Sequence, residues 1–545
     1  MKTRNLVLTV LGALVLGACT EKTEKGLHVF PMEAVTLAPG SPLQERILRN
    51  QSRLESELYQ PDRAIADDVN WPGDYVGRTV LGVTMDARAL HAEPRYLGEI
   101  LRRLPGSLNA KGYLGGDFGT VINEQQLSGH GWLLRGLCEY YKWKGEESVL
   151  PVIRSIVEGL FLPGAGRYGT YPIAPEQRST TDGAASGSIG AATPDWMLST
   201  DVGCLFIGMA GLIDAYEVLR DERIVPVIEE MLGRFLEVDL TGIQMQTHAT
   251  LSALRGMLKY YALTGEKKWL EAARERWKTY ETDGMTCNYA NYNWFDRFDA
   301  WTEPCAVVDS YIVAFSLWLE TRDAHYRDLA ELIYYNALCH GQRENGGFGC
   351  DTTPLPDSPF LKVVIPEATW CCTMRGGEGL PRVAESVWAR DGRKLYVPFF
   401  CASTLSTPEI TVEEETGYPG QCSAAFTFKS NRAGIDKLLL PDLPWTDGWH
   451  VNVNGERVET TLEDGFRAVS RRFKPGDKVE VAFRSGLWVD IWQGKTRFFR
   501  GPLMQGLDTE EAVNVSKVDT KQLQPLCHPM SPEVLQPGYA RQVLF

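Results

Sequence analysis

The stretch Tyr140-Tyr141-Lys142-Trp143-Lys144-Gly145-Glu146-Glu147 decides the fold. Aromatic residues close an amphipathic run, a glycine able to adopt left-handed backbone follows, and a new apolar period begins at Val149. That order is the junction of a helical hairpin. It returns at 216–223 before a run from Ile224, at 260–268 before Trp269, and at 318–325 before Tyr326, with a degenerate copy at 90–96. Within the runs, apolar residues recur at helical spacings, as at Leu251, Leu254, Met257 and Leu258. The copies are too unevenly spaced for a regular repeat array. They predict helical hairpins closed into an (α/α)6-type barrel over residues 40–390. The long loops 164–199 and 281–302 should gather at one end of it, where such loops usually carry function.

Beyond residue 390 the pattern shortens to strand-like runs at 394–401, 410–413, 424–429 and 437–440. An Asn454-Gly455 turn and a Pro475-Gly476-Asp477 turn separate further alternating runs. This predicts a C-terminal β-sandwich over 391–510, with 511–545 as a tail or edge structure. The fold class expected is therefore mainly α with a β domain.

The chain opens with Lys2 and Arg4 ahead of an apolar run over 6–17. A bilayer span takes about 20 residues, so this run suits a signal-peptide core. It ends in Leu16-Gly17-Ala18-Cys19, which resembles the bacterial lipobox. Residues 1–19 are read as a lipoprotein signal with Cys19 lipidated, and 20–39 as a polar tether and opening strand. An ordinary cleaved signal is the alternative. The expected location is outside the cytoplasm, lipid-anchored on the periplasmic or cell-surface side, with the anchor as the only membrane contact. The net charge of −14 argues against nucleic acid or an anionic lipid surface as partner. The 15 Trp and 21 Tyr lean toward carbohydrate, since sugar clefts use aromatic faces, although large helical cores use them too.

Setting Cys19 aside from the 12 cysteines leaves an odd number, which no simple disulfide framework accommodates. Glu303-Pro304-Cys305 precedes an apolar helical run, and Cys371-Cys372 precedes Arg375-Gly376-Gly377-Glu378-Gly379. One carboxylate and three thiolates make an oxygen-and-sulfur set suited to tetrahedral Zn2+. Two separate disulfides or two buried thiols are the alternatives for the vicinal pair.

With these residues in view, the chain resembles the β-L-arabinofuranosidases of glycoside hydrolase family 127. Thr302-Glu303-Pro304-Cys305-Ala306 looks like the family's Glu-Thr-Cys-Ala segment, and Cys371-Cys372 like its paired cysteines. The turn 280–286 resembles its Tyr-x-Thr-Gly-Gly turn, while Ser128-Gly129-His130 and Thr247-His248-Ala249 resemble its histidine-bearing substrate contacts. In the β region, 415–419, Val453-Asn454-Gly455, 472–477 and Arg500-Gly501-Pro502 follow the family pattern in order. The resemblance implies a retaining, zinc-dependent hydrolase that cleaves a furanoside from plant or microbial oligosaccharides or polysaccharides. It implies Glu303, Cys305, Cys371 and Cys372 as metal ligands, with Cys371 or Cys372 as nucleophile by position and Cys371 preferred. It implies His130 and His248 as contacts to sugar hydroxyls. The family's general acid is a Glu in the loop before the Glu-x-Cys segment. Here residues 287–301 hold no Glu, so Asp296 and Asp299 are the candidates. The family's histidine ahead of the third hairpin is also missing, and Thr200-Asp201 occupies the region. A non-catalytic glycan-binding lipoprotein with the same barrel and zinc, and a hydrolase of another pentose, are the competing readings. A thiol redox protein is disfavoured, since no Cys-x-x-Cys stands beside a βαβ pattern.

Overall fold

The computed structural model describes residues 26–66, 69–178, 187–527 and 540–545. Residues 1–19, read above as a lipoprotein signal ending in Cys19, lie outside the described residues.

Six long helices make a closed inner ring: Asp74–Ala89, Glu124–Lys144, Cys204–Leu219, Thr247–Thr264, Pro304–Thr321 and Cys372–Glu385. Each packs on the next, and the last returns to the first. Pro42–Leu54, Leu97–Arg103, Leu150–Ile156, Val225–Leu236, Lys267–Thr279 and Ala324–Ile333 form the outer layer. The sequences divide accordingly. Ring helices are flanked on both sides by neighbours and bury most of their residues, as in Cys204–Leu219, where every residue from Cys204 to Ala215 is buried. Outer helices bury one stripe, such as Val227, Ile228, Met231, Leu232 and Phe235.

The hairpin signature has one physical basis at all four clear copies. The residue after the helix takes left-handed backbone, with φ of 67° at Gly145, 50° at Arg220, 75° at Gly265 and 64° at Arg322. Its N–H donates to the carbonyl of the aromatic four residues back: Tyr141, Tyr216, Tyr261 or Trp318, at 2.7–2.9 Å. In two copies an Asp then caps the following helix. Asp221 accepts from the Arg223 N–H and Asp323 from the His325 N–H, both at 3.0 Å.

Two sheets form the sandwich. One runs Glu456–Arg457, Thr446–Val453, Lys478–Ser485, Ser423–Asn431, Ile410–Thr416, Ser403–Ser406, Val35–Leu37. The other runs from His28–Val29 through Ala389–Asp391, Lys394–Tyr396 and Lys437–Pro441 to Phe466–Ser470 and Thr461–Glu463. The segment before the barrel thus supplies a strand to each sheet. The boundary expected at 510 is corrected. The sandwich ends at Ser485, and Leu487–Trp492, Lys495–Arg500 and Leu503–Asp508 turn away into a third sheet. That sheet also takes Ala540–Gln542 and two strands from the barrel region, Phe360–Ile365 and Cys350–Asp351, while Gln524–Pro525 pairs alongside. Residues 511–545, expected as a tail or edge structure, supply Gln524–Pro525 and Ala540–Gln542 to that sheet. Local alternation reads the same in either sheet, so the switch of sheet is invisible in sequence.

Candidate active site

Two helix starts bring the four ligand candidates together. Glu303 is the N-terminal flanking residue of Pro304–Thr321, with Pro304 and Cys305 in its first turn. Cys371 holds the equivalent place before Cys372–Glu385. Helix N-termini favour negative charge, so thiolates and a carboxylate suit both places. The Asn291 Oδ1 accepts the Glu303 N–H at 3.0 Å and fixes the approach of that segment. One ligand atom from each of Glu303, Cys305, Cys371 and Cys372 falls within 4.8 Å of all the others. The Cys305 and Cys372 sulfurs are 3.7 Å apart, and those of Cys371 and Cys372 are 3.3 Å apart. No cysteine among the described residues is in a disulfide.

The donor set fits a metal on two further observations. Glu303 Oε2 is buried and has no protein partner. Burial, and after it the neighbouring thiols, push Cys305 and Cys372 well above the usual thiol range. Three thiols and a carboxylate packed this closely call for a cation between them. Positive charge already lies underneath. Arg78 Nη1 is 3.4 Å from the Cys305 sulfur, and its Nε is 2.6 Å from Asp74. Arg78, Arg135 and Arg375 all sit over the Trp132 ring, at 4.1, 4.4 and 4.5 Å from its centre.

A pocket of about 470 Å3 opens above the cluster, a size that suits one or two sugar units. Both long loops reach it, through Gly187 from one and Asn293 and Trp301 from the other. Trp370, 55% exposed, stands at its edge beside the half-buried Cys371. His248 lines it, stacked on Trp132 with ring centres 5.5 Å apart. Its Nδ1 lies 3.4 Å from Glu303 and its Nε2 lies 3.6 Å from Asp309. Asp309 is held well below the usual carboxylate range; burial opposes this, but Arg375, His248, Arg135 and Arg255 outweigh it. Ser128, His248 and Asn293 are polar residues of the pocket lining. Polar side chains so placed suit sugar hydroxyls.

Three expectations are corrected. His130 does not line this pocket. Its Nε2 accepts the Leu114 N–H at 2.9 Å, and its Nδ1 pairs with the Gln126 carbonyl at 2.8 Å, so both nitrogens are spent on backbone. Asp299 is exposed and ion-paired to Arg297 at 3.2 Å, and that hydrogen bond holds it below the usual carboxylate range. Asp296 is exposed on a left-handed turn with φ of 55°. Neither Asp faces the pocket.

The pocket's carboxylates among the described residues are instead Asp74, Asp201 and Glu303. Asp74 is tied to Arg78, and Glu303 belongs to the cluster. Asp201 lies at the turn into a ring helix. The fully buried Glu124 holds that turn by accepting from the Ser199 N–H at 3.0 Å and the Gly203 N–H at 3.2 Å. Its only signal in the sequence is its place where the resembled family carries a histidine.

Residues 239–385 match the family model for the catalytic domain of the family 127 β-L-arabinofuranosidases, and residues 394–484 match the model for their middle domain. A solved family 127 β-arabinofuranosidase superposes with a TM-score of 0.68 at 17% identity, over 89% of this chain and 86% of its own. A β-L-arabinofuranosidase of the family from Geobacillus stearothermophilus T6 gives 0.65 at 16% identity, over 87% and 86%. A third structure, described as a glycoside hydrolase, gives 0.67 at 15% identity, over 90% and 84%. No curated protein matches the chain. The catalytic-domain and middle-domain models, matched in order, support a glycoside hydrolase of family 127, and the solved structures share the ring-and-sandwich fold.

Proposed function

We propose that the protein is a retaining, zinc-dependent hydrolase of the β-L-arabinofuranosidase type, with Cys371 as nucleophile, acting on a furanoside in plant or microbial glycans. The observation that carries this reading is the convergence of Glu303, Cys305, Cys371 and Cys372 at the base of the pocket. Zinc held by these four residues would keep the thiols ionised at neutral pH. Cys371, the more open of the vicinal pair, attacks the anomeric carbon. The carbon–sulfur bond forms as the glycosidic carbon–oxygen bond breaks, and its electron pair leaves on that oxygen. Asp201 gives the departing oxygen its proton. As a carboxylate it then takes a proton from water, whose oxygen attacks the anomeric carbon. The carbon–sulfur pair returns to Cys371, and the sugar leaves with its configuration retained. Ser128, His248 and Asn293 hold the sugar hydroxyls.

The deciding experiment combines metal analysis with hydrolysis of nitrophenyl pentofuranosides. The expected outcome is about one zinc per chain, a first product of retained configuration, and a loss of about 10³-fold or more in kcat for Cys371→Ser. Bound zinc with no turnover on any furanoside would leave the non-catalytic glycan-binding reading standing. We further propose attachment to the bacterial membrane through Cys19, supported by the lipobox. Cys19→Ser should move the protein from the membrane fraction to the soluble one. No helix among the described residues is long and apolar enough to cross a membrane.

A further inference from the structure

A second cleft shares a loop with the catalytic pocket. Asn293 and Trp301 face the pocket, whereas Met285, Thr286 and Tyr289, earlier in the same loop, face the cleft. Its volume is about 410 Å3, the size of a small-ligand site. The opposite wall is aromatic. Trp488 and Trp492 are four residues apart on the strand Leu487–Trp492, so both project from one face. Trp445 joins them from the sandwich. The platform is rigid: Trp445 and Trp488 are parallel within 5° at 6.4 Å, and Trp488 stacks on Phe499 at 4.3 Å.

Polar groups face this wall. Glu281 and His325 pair at 2.7 Å, and Glu281 also accepts from Trp277 Nε1 at 3.1 Å. Asp328 lies beside them and pairs with Arg327, while Arg497 pairs with Asp490. The charges that line the cleft are thus answered within the protein. An anionic or cationic ligand would find no unanswered opposite charge. A purely apolar occupant would strip water from Glu281, His325 and Asp328 and return no hydrogen bonds. A neutral sugar meets both demands, since its C–H faces lie flat on indole rings and its hydroxyls bond to the rim.

We propose that this cleft is a second carbohydrate-binding site, holding a neutral sugar unit of the glycan away from the bond that is cleaved. Binding there needs no chemistry at Cys371; only its link to turnover rests on the hydrolase reading above. The test uses the full chain in affinity electrophoresis through gels containing a neutral arabinan, xylan or galactan, with Trp492→Ala and His325→Ala beside the unaltered protein. At least one polysaccharide should retard the unaltered protein, and each variant should weaken that retardation by about fivefold or more. Both variants should keep their rate on a nitrophenyl monosaccharide if the unaltered protein has one. Equal retardation of all three proteins, or no retardation by any of the polysaccharides, would overturn the proposal. Trp492-dependent retardation in a protein that hydrolyses no furanoside would uphold the site and sink the hydrolase reading alone. His325 is half exposed on the rim, so its variant keeps the test valid if Trp492→Ala fails to fold.

Discussion

His130 serves the fold rather than the sugar. It is fully buried, and burial lowers its imidazole pKa to about 4. Below about pH 6.5 the unfolded chain takes up a proton that the folded chain refuses, so stability falls as pH drops from there toward 4. The full difference is about 3 kcal/mol. Denaturant titrations at pH 7 and pH 5 should show about 2 kcal/mol of this loss in the natural protein and a smaller one in His130→Gln. At the cluster, Cys305→Ser should remove most of the zinc, as read by metal analysis, because one of three sulfur ligands is gone. Asp201→Asn should slow hydrolysis of an alkyl furanoside by about 10²-fold or more. It should spare a phenolic substrate whose leaving group needs little protonation. Equal losses on both would remove Asp201 from the role of acid. The four clustered residues were legible in the sequence as a candidate set because they stand beside distinctive neighbours. Asp201 was not, because Glu124, far along the chain, sets its position.

At the scale of elements, the ring depends on close backbone approach. A Cβ on Gly77 would stand 2.3 Å from the Leu133 nitrogen, and one on Gly211 would stand 2.2 Å from the Gly131 carbonyl. Gly77→Ala or Gly211→Ala should therefore cost about 3 kcal/mol in a denaturant titration. Gly233, on an exposed outer-layer helix, meets nothing within 4 Å. Gly233→Ala should be neutral or add up to about 1 kcal/mol. If all three behave alike, the interpretation of the ring as glycine-spaced is wrong. The hairpins themselves were readable because their signature is local, consisting of an aromatic carbonyl, a left-handed residue and a cap. The third sheet was not, since its strands come from residues 350–365, 487–508 and 540–542 and only pairing reveals them.

At the scale of the molecule, residues 540–545 are structural. Ala540–Gln542 pairs with Phe360–Ile365, the strand that leads toward Cys371, and Val543 and Leu544 are fully buried. The Arg46 guanidinium of the outer layer donates to the Cys527 sulfur at 2.9 Å. Truncation after residue 510 should therefore lower both zinc content and thermal midpoint, although none of the described residues it removes lines the pocket.

The pairing of Ala540–Gln542 with Phe360–Ile365 also sets an order of assembly. Successive ring helices are neighbours in sequence and can dock as each hairpin emerges, with little loop to close. The final ring helix is different, because it must return to Asp74–Ala89. The strand before Cys371 must await a partner made some 180 residues later. The Cys305 thiol is therefore made well before Cys371 and Cys372, and the strand that leads to that pair gains its second neighbour only from the end of the chain. If the cluster holds the proposed metal, loading would come late in folding, and a nascent or truncated chain would present these thiols unclustered.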